Sequence, residues 1–154
     1  MKGGDESGFV GGLEALPFGF LVFVAGSLLL VNAWAVFDCH LAASAAAREA
    51  VRSFVESEGP DATAIRSGEM AALEALSGHG KQGDRASIEW TGAQLVRCQG
   101  VSVTVRYRVP LVVVPWIGAF GGGVLTTSAR HREVVDPYRR GLSVAGADPE
   151  ACGA

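Results

Sequence analysis

Hydrophobic and polar positions divide this chain into one unbroken apolar run, two stretches of helical period and two of alternating period. The run covers residues 15–37, ALPFGFLVFVAGSLLLVNAWAVF, with no charged side chain between Glu14 and Asp38. At 1.5 Å per residue it extends roughly 34 Å, slightly more than the roughly 30 Å of bilayer hydrocarbon. A single charge near the middle of such a helix would cost about 3 kcal/mol, and none is present. A spanning helix is therefore expected. A signal peptide has a shorter apolar core behind a basic leader. Here MKGGDESG sets one Lys against Asp5 and Glu6, although the alanines of 42–47 could imitate a cleavage site. A buried core helix is disfavoured, because the residues downstream cannot wrap a helix that is apolar all round.

Beyond Asp38 the helical pattern continues through CHLAASAAAREAVRSFVES, rich in Ala and other helix formers. Phe37, Leu41, Val51, Phe54 and Val55 recur near helical spacing, while Arg48, Arg52 and Glu56 take other positions. One continuous helix over residues 12–57 is predicted, halted by Glu58-Gly59-Pro60, with Asp61 placed to cap the next element. Residues 61–77 read as a second helix with Ile65, Ala72, Leu73 and Leu76 on one face, and SGHGKQGDR reads as a loop.

The period then changes to two. Ala86, Ile88 and Trp90 alternate with Ser87, Glu89 and Thr91. Val101, Val103, Val105, Tyr107 and Val109 alternate with Ser102, Thr104, Arg106 and Arg108 in a strand with one buried face, which Pro110 should break. A third strand is expected over 124–134. The fold class is thus α+β and membrane-anchored: a long N-terminal transmembrane helix continuing into an amphipathic helix, a second short helix, and a small three-stranded antiparallel sheet. The valine face of the sheet should cover the helix's extension. The divisions are a disordered cytoplasmic leader (1–11), the transmembrane helix with its extension (12–57), an α+β domain outside the cytoplasm (58–136) and an irregular tail (137–154).

Charge narrows the partners. The net charge is −3, basic and acidic residues are mixed along the soluble part and no basic stripe is expected, so nucleic acid is not expected as a partner. Orientation stays undecided by charge: Lys2 alone precedes the run, while Arg48 and Arg52 follow it. Cys39, Cys98 and Cys152 show no zinc-type spacing. Cys39 sits at the membrane boundary, as a small apolar filler or a lipid-facing thiol. Cys98 and Cys152 would share the exported side, which makes them a candidate disulfide.

No constellation speaks for catalysis. His40, His79 and His131 are far apart, no Ser has the setting of a nucleophile elbow, and GAFGGG follows no phosphate-loop pattern. No cofactor and no small-molecule substrate are expected. Two features could serve assembly. Gly12, Gly19, Gly26 and Ala33 recur every seven residues, a stripe where another helix could approach closely, or else the ordinary small-residue content of a spanning helix. Asn32 lies beside that stripe and could bond across it or be satisfied locally. Pro115 and Trp116, in PLVVVPWIGAF, could dip into the bilayer interface, dock a partner or fold over the sheet. Glu14 at the mouth of the run is either an assembly carboxylate or a headgroup-level residue favoured at a helix N-terminus.

Glu14 before ALP, the long apolar helix, SAAAREAVR, the strand RCQGVSVTVRYRVPLVVVP and the ending REVVDPYRRGL together make a pattern. Over about residues 8–142 it resembles the TadE-like family, minor pseudopilin-like proteins of the tight-adherence (Tad) pilus system, in its actinobacterial form. The resemblance implies a structural, non-enzymatic single-pass membrane protein that takes part in assembling a Tad-type pilus or a related export apparatus. Its N-terminus would be cytoplasmic and its C-terminal domain outside. Its partners would be the lipid bilayer and other pseudopilins or Tad membrane-platform proteins. In such proteins a Glu at the fifth mature position can neutralise the new N-terminal amine of the adjacent subunit. Glu14 matches that Glu by its EALP context. A cut after Gly8 would make it the sixth residue, and Gly11 and Gly12 replace the usual bulky apolar side chains. The chain is therefore expected to stay uncut. The alternative function is a generic single-pass scaffold or binding subunit of a cell-envelope complex.

Overall fold

The computed structural model describes residues 15–112 and 123–142. Gly12 and Glu14, Pro115 and Trp116, Cys152, the leader, and the tail beyond residue 142 lie outside them. Helix α1 runs unbroken through Ala15–Glu56, 42 residues, and helix α2 through Asp61–Gly78. A 3-10 turn, Gly83–Arg85, leads into β1 (Ala86–Thr91), β2 (Gly100–Pro110) and β3 (Val124–Val134). The strands form one antiparallel sheet in the order β1-β2-β3, as the alternating patterns predict. Ala86 pairs with Tyr107 and Thr91 with Ser102; Gly100 pairs with Val134 and Pro110 with Val124. β2 ends at Pro110, as expected, with Pro110 its last paired residue.

The N-terminal part of α1 stands clear of the other described elements until it reaches Asn32. Among its large apolar side chains, Phe18, Phe23, Leu29 and Trp34 are 70–72% exposed. It is long and apolar enough to cross a membrane by length and composition. The C-terminal part is the spine of the domain, packed against α2 on one side and against β2 and β3 on the other. Its buried stripe is the expected one only in part: Val51 and Phe54 are buried and Val55 is half-buried against the core. Phe37 and Leu41 face outward, and the core positions are Cys39, Ala42, Ala43, Ala46, Ala47, Ala50, Val51 and Phe54. Side chains of one carbon let the helix axis lie close to two neighbours at once, which Leu or Phe at the same positions would prevent. From the sheet, Val101, Val103, Val105, Tyr107 and Val109 close on this stripe, all at most 2% exposed. Cys39 is buried, as a small filler and not a lipid-facing thiol.

Helix α2 repeats the device. Its buried face is Ala64, Gly68, Ala72 and Leu76, spaced by four, while Leu73 is exposed and Ile65 half-buried. At Gly68 the helices nearly touch: an added Cβ would lie 2.7 Å from the Ala50 carbonyl oxygen and 2.5 Å from the Trp90 ring. Trp90 reaches across from β1 to stack on Phe54, ring centroids 5.3 Å apart. Its indole N–H has no acceptor among the described residues, an unsatisfied donor accepted to fill this junction. Asp61 does not cap α2. The N-cap is Pro60, and the Asp61 carboxylate instead accepts the Leu95 amide at 2.8 Å, tying down the β1–β2 loop.

Gly68→Ala is expected to destabilise the full chain by about 1–3 kcal/mol, because its clash includes rigid backbone. Gly78→Ala, with nothing within 4 Å of its added Cβ, should be neutral or slightly stabilising. Thermal unfolding of the two variants in detergent checks the contrast, and equal midpoints would contradict the close approach.

Candidate functional site

The described residues hold no group of three or more His, Cys, Asp or Glu able to bind a metal. What the structure gathers instead is a belt of polar ties where the apolar part of α1 meets the domain. Asn32, inside the apolar run, is satisfied locally and across the chain. Its amide nitrogen donates to the Leu28 carbonyl at 2.9 Å and to the Val112 carbonyl at 3.2 Å, and its Oδ1 accepts the Val112 N–H at 2.8 Å. The side chain thus acts as a strand edge for the residues leaving β2. One and a half turns further on, Lys81 after α2 donates to the Asp38 carboxylate. His40 Nδ1 lies 3.2 Å from the hydroxyl of Thr127 on β3, and the Tyr107 hydroxyl accepts the Gln82 amide at 3.2 Å. These ties fasten α1 to the residues leaving β2, to β3 and to the loop after α2 within about two turns of the helix.

The Lys81 stem is largely covered, with the side chain 17% exposed. Its hydrogen bond to Asp38 raises the ammonium's pKa above the usual lysine value, against the opposing effect of burial. A shallow cavity of about 310 Å³ opens beside this pair, with Ala35, Cys39, Lys81, Arg85, Val109 and Pro110 among its lining residues.

The far end of α1 is held differently. Its last turn carries no basic residue, yet its orphan carbonyls meet a cation from elsewhere. The Arg139 guanidinium donates to the carbonyls of Val55, Glu56 and Ser57. Arg97 in turn donates to the Arg139 carbonyl at 2.8 Å. The start of the stretch expected to be an irregular tail is therefore a clamp on the helix end. Sequence reasoning missed it, as it missed Lys81 with Asp38 and His40 with Thr127, because no local period links partners so far apart.

Of the candidate site residues, Gly19 and Gly26 sit on the free part of α1 with nothing within 4 Å of an added Cβ, and Ala33 is exposed. The stripe has no occupant within the described chain. Cys98 is disulfide-bonded while Cys39 is free, and Cys98 takes a left-handed backbone (φ 61°). Its amide donates to the Val135 carbonyl at 3.0 Å. His79 caps the end of α2, and His131 lies 3.7 Å from Glu133.

The absence of a basic stripe needs correcting. The alternation of β2 and β3 brings Arg106, Arg108, Arg130 and Arg132 to the outer face of the sheet, opposite the valines. Arg106 pairs with Glu89 through two contacts of 3.1 and 3.2 Å, Arg108 donates to the Asp84 carbonyl, and Arg130 to the Ser102 hydroxyl.

No family model matches the chain, and neither a curated protein nor a solved structure matches it.

Asn32→Leu would leave the N–H and carbonyl of Val112 without their partner, at an expected 1–3 kcal/mol or so. Hydrogen exchange at the Val112 amide should accelerate, and an unchanged rate would show that the contact holds nothing. Lys81→Met should lower stability by about 0.5–1 kcal/mol near neutrality, as befits a partly exposed pair. Because the folded pKa is raised, this contribution is complete below the ordinary lysine value of about 10.4 and fades as pH rises through the folded value. Unfolding curves of wild type and Lys81→Met should therefore converge at high pH, and a gap of constant size would refute the ion pair's part in it.

Proposed function

We propose that this chain is a structural, non-enzymatic pseudopilin-like membrane protein that takes part in assembling a Tad-type pilus or a related export apparatus. The observation that carries the reading is the division of labour along α1. One uninterrupted helix is bare and apolar over its first half and is the spine of a small α+β domain over its second. That shape suits a subunit which packs against like helices within or just above a membrane while presenting a domain outside. In this reading the first half of α1 anchors the chain in the bilayer, with the N-terminus cytoplasmic. The disulfide at Cys98 supports an oxidising compartment for the domain. The stripe of Gly19, Gly26 and Ala33, which no described residue fills, provides a face for a neighbouring helix, and Glu14, by its EALP context, is the candidate assembly carboxylate.

Removing the gene from the native cell should abolish or thin its surface filaments in electron micrographs. Wild-type protein should restore them, whereas a Gly19→Leu/Gly26→Leu double variant should restore them poorly while still reaching the membrane. Filaments that persist without the protein would sink the pilus reading and leave the generic envelope scaffold. Full rescue by the double variant would remove the stripe from the mechanism.

A further inference from the structure

We propose that the membrane end of the β2–β3 ladder is itself seated in the lipid bilayer, a second contact beside α1. The proposal rests on the reading of α1 as the anchor. Its starting point is that charge stops at one level on both elements. On α1 the first charged residue after the apolar run is Asp38, which is bonded to Lys81. On the sheet the corresponding residues are Arg85 and Arg108. Arg85 lines the same cavity as Ala35, Cys39 and Lys81, and Arg108 donates to the Asp84 carbonyl at 3.0 Å. Past Arg108 the sequence is uncharged until Arg130.

Below this collar the described residues are uncharged, and beyond buried Val109 several apolar ones are open. Val112 is 55% exposed, Val124 62% and Leu125 49%, with Val124 paired to Pro110 and Leu125 to Val109. Their depth is fixed by Asn32, which binds both backbone groups of Val112. Asn32 lies six residues before Asp38, so Val112 is roughly 9 Å further along α1 toward its N-terminus. Once α1 crosses a bilayer with Asp38 at its surface, Val112 is placed among the acyl chains. The Asn32 bonds then satisfy backbone groups that water cannot reach there. Val124 lies on the outer face beside Pro110 and Leu125 on the opposite face beside Val109, both open at neighbouring depth. Lys81, Arg85 and Arg108 stand where phosphate headgroups begin, the positions long cationic side chains favour beside an apolar boundary. Lipid is the one occupant that explains the apolar tip, its depth and the cationic rim together.

The test uses the full chain in vesicles of mixed phosphatidylcholine and phosphatidylglycerol, in a Cys39→Ala background with the Cys98 disulfide intact. Spin labels are placed singly through Leu29→Cys on α1, Val124→Cys and Leu125→Cys at the tip, and Ser128→Cys above the collar. Accessibility to oxygen is compared with accessibility to a water-soluble nickel chelate. The expected result is that oxygen dominates at Leu29, Val124 and Leu125 and nickel at Ser128. If Leu29 is lipid-exposed while Val124 and Leu125 see nickel, the second contact is wrong and the anchor stands. Labels at Val124 and Leu125 shielded from both reagents would mean that protein covers the tip, and would overturn the proposal in favour of a second chain. Nickel access at Leu29 would overturn the anchor first, and the lipid-seated tip with it.

Discussion

Everything in this domain depends on how closely α1 can lie against its neighbours. A single helix has to present one flank to a valine-faced sheet and another to a second helix, and the alanines from Ala42 to Ala50 make both approaches short. Gly68 and Ala72 on α2 answer with equally small surfaces. Bulk enters only at the edges, where Phe54 stacks with Trp90 and Leu76 closes the other end of α2. The result is a core that is thin along its centre and held by dispersion over a long contact rather than by a few large side chains.

The parts of this arrangement with a period were legible in the sequence. β2 is recognisable from its Val/Tyr alternation, and the end of α1 from Glu58-Gly59-Pro60, because these depend on local backbone geometry. The buried stripe of α1 was read correctly at Val51 and Phe54 but misread nearer the apolar end, for a physical reason. Phe37 and Leu41 are the larger apolar residues and so dominate any hydrophobic pattern. They flank Asp38 at the end of the apolar run and are only about half exposed, Phe37 at 55% and Leu41 at 47%. Alanine is a weak hydrophobic signal even where geometry makes it indispensable. Ile65 and Leu73 outweighed Ala64 and Gly68 on α2 in the same way.

The candidate site was legible in outline only. The seven-residue spacing of Gly19, Gly26 and Ala33 is a property of the sequence, and the structure adds that no described residue of the chain fills it. The clustering of arginines on the outer sheet face was hidden because the residues that separate them in sequence alternate to the opposite face. Asn32 showed itself as a lone polar residue in an apolar run. Its partner could not be read, since Val112 lies 80 residues away.

Small-residue packing has a weakness that the polar ties address. A row of alanines against a row of valines is smooth, so shifting the helix along the sheet or rolling it loses little contact at each step. Directional bonds are needed to choose one register. They occur at the two ends of the contact and differ in kind: Asn32, Asp38 and His40 grip strand and loop at one end, and the Arg139 guanidinium holds the last carbonyls of α1 at the other. A helix pinned at both ends against a smooth seam cannot slide. A force applied to its apolar half is then transmitted to the sheet through Asn32, Asp38 and His40 before the alanine core bears it. The ties thereby couple the helix to the domain at both ends of their contact.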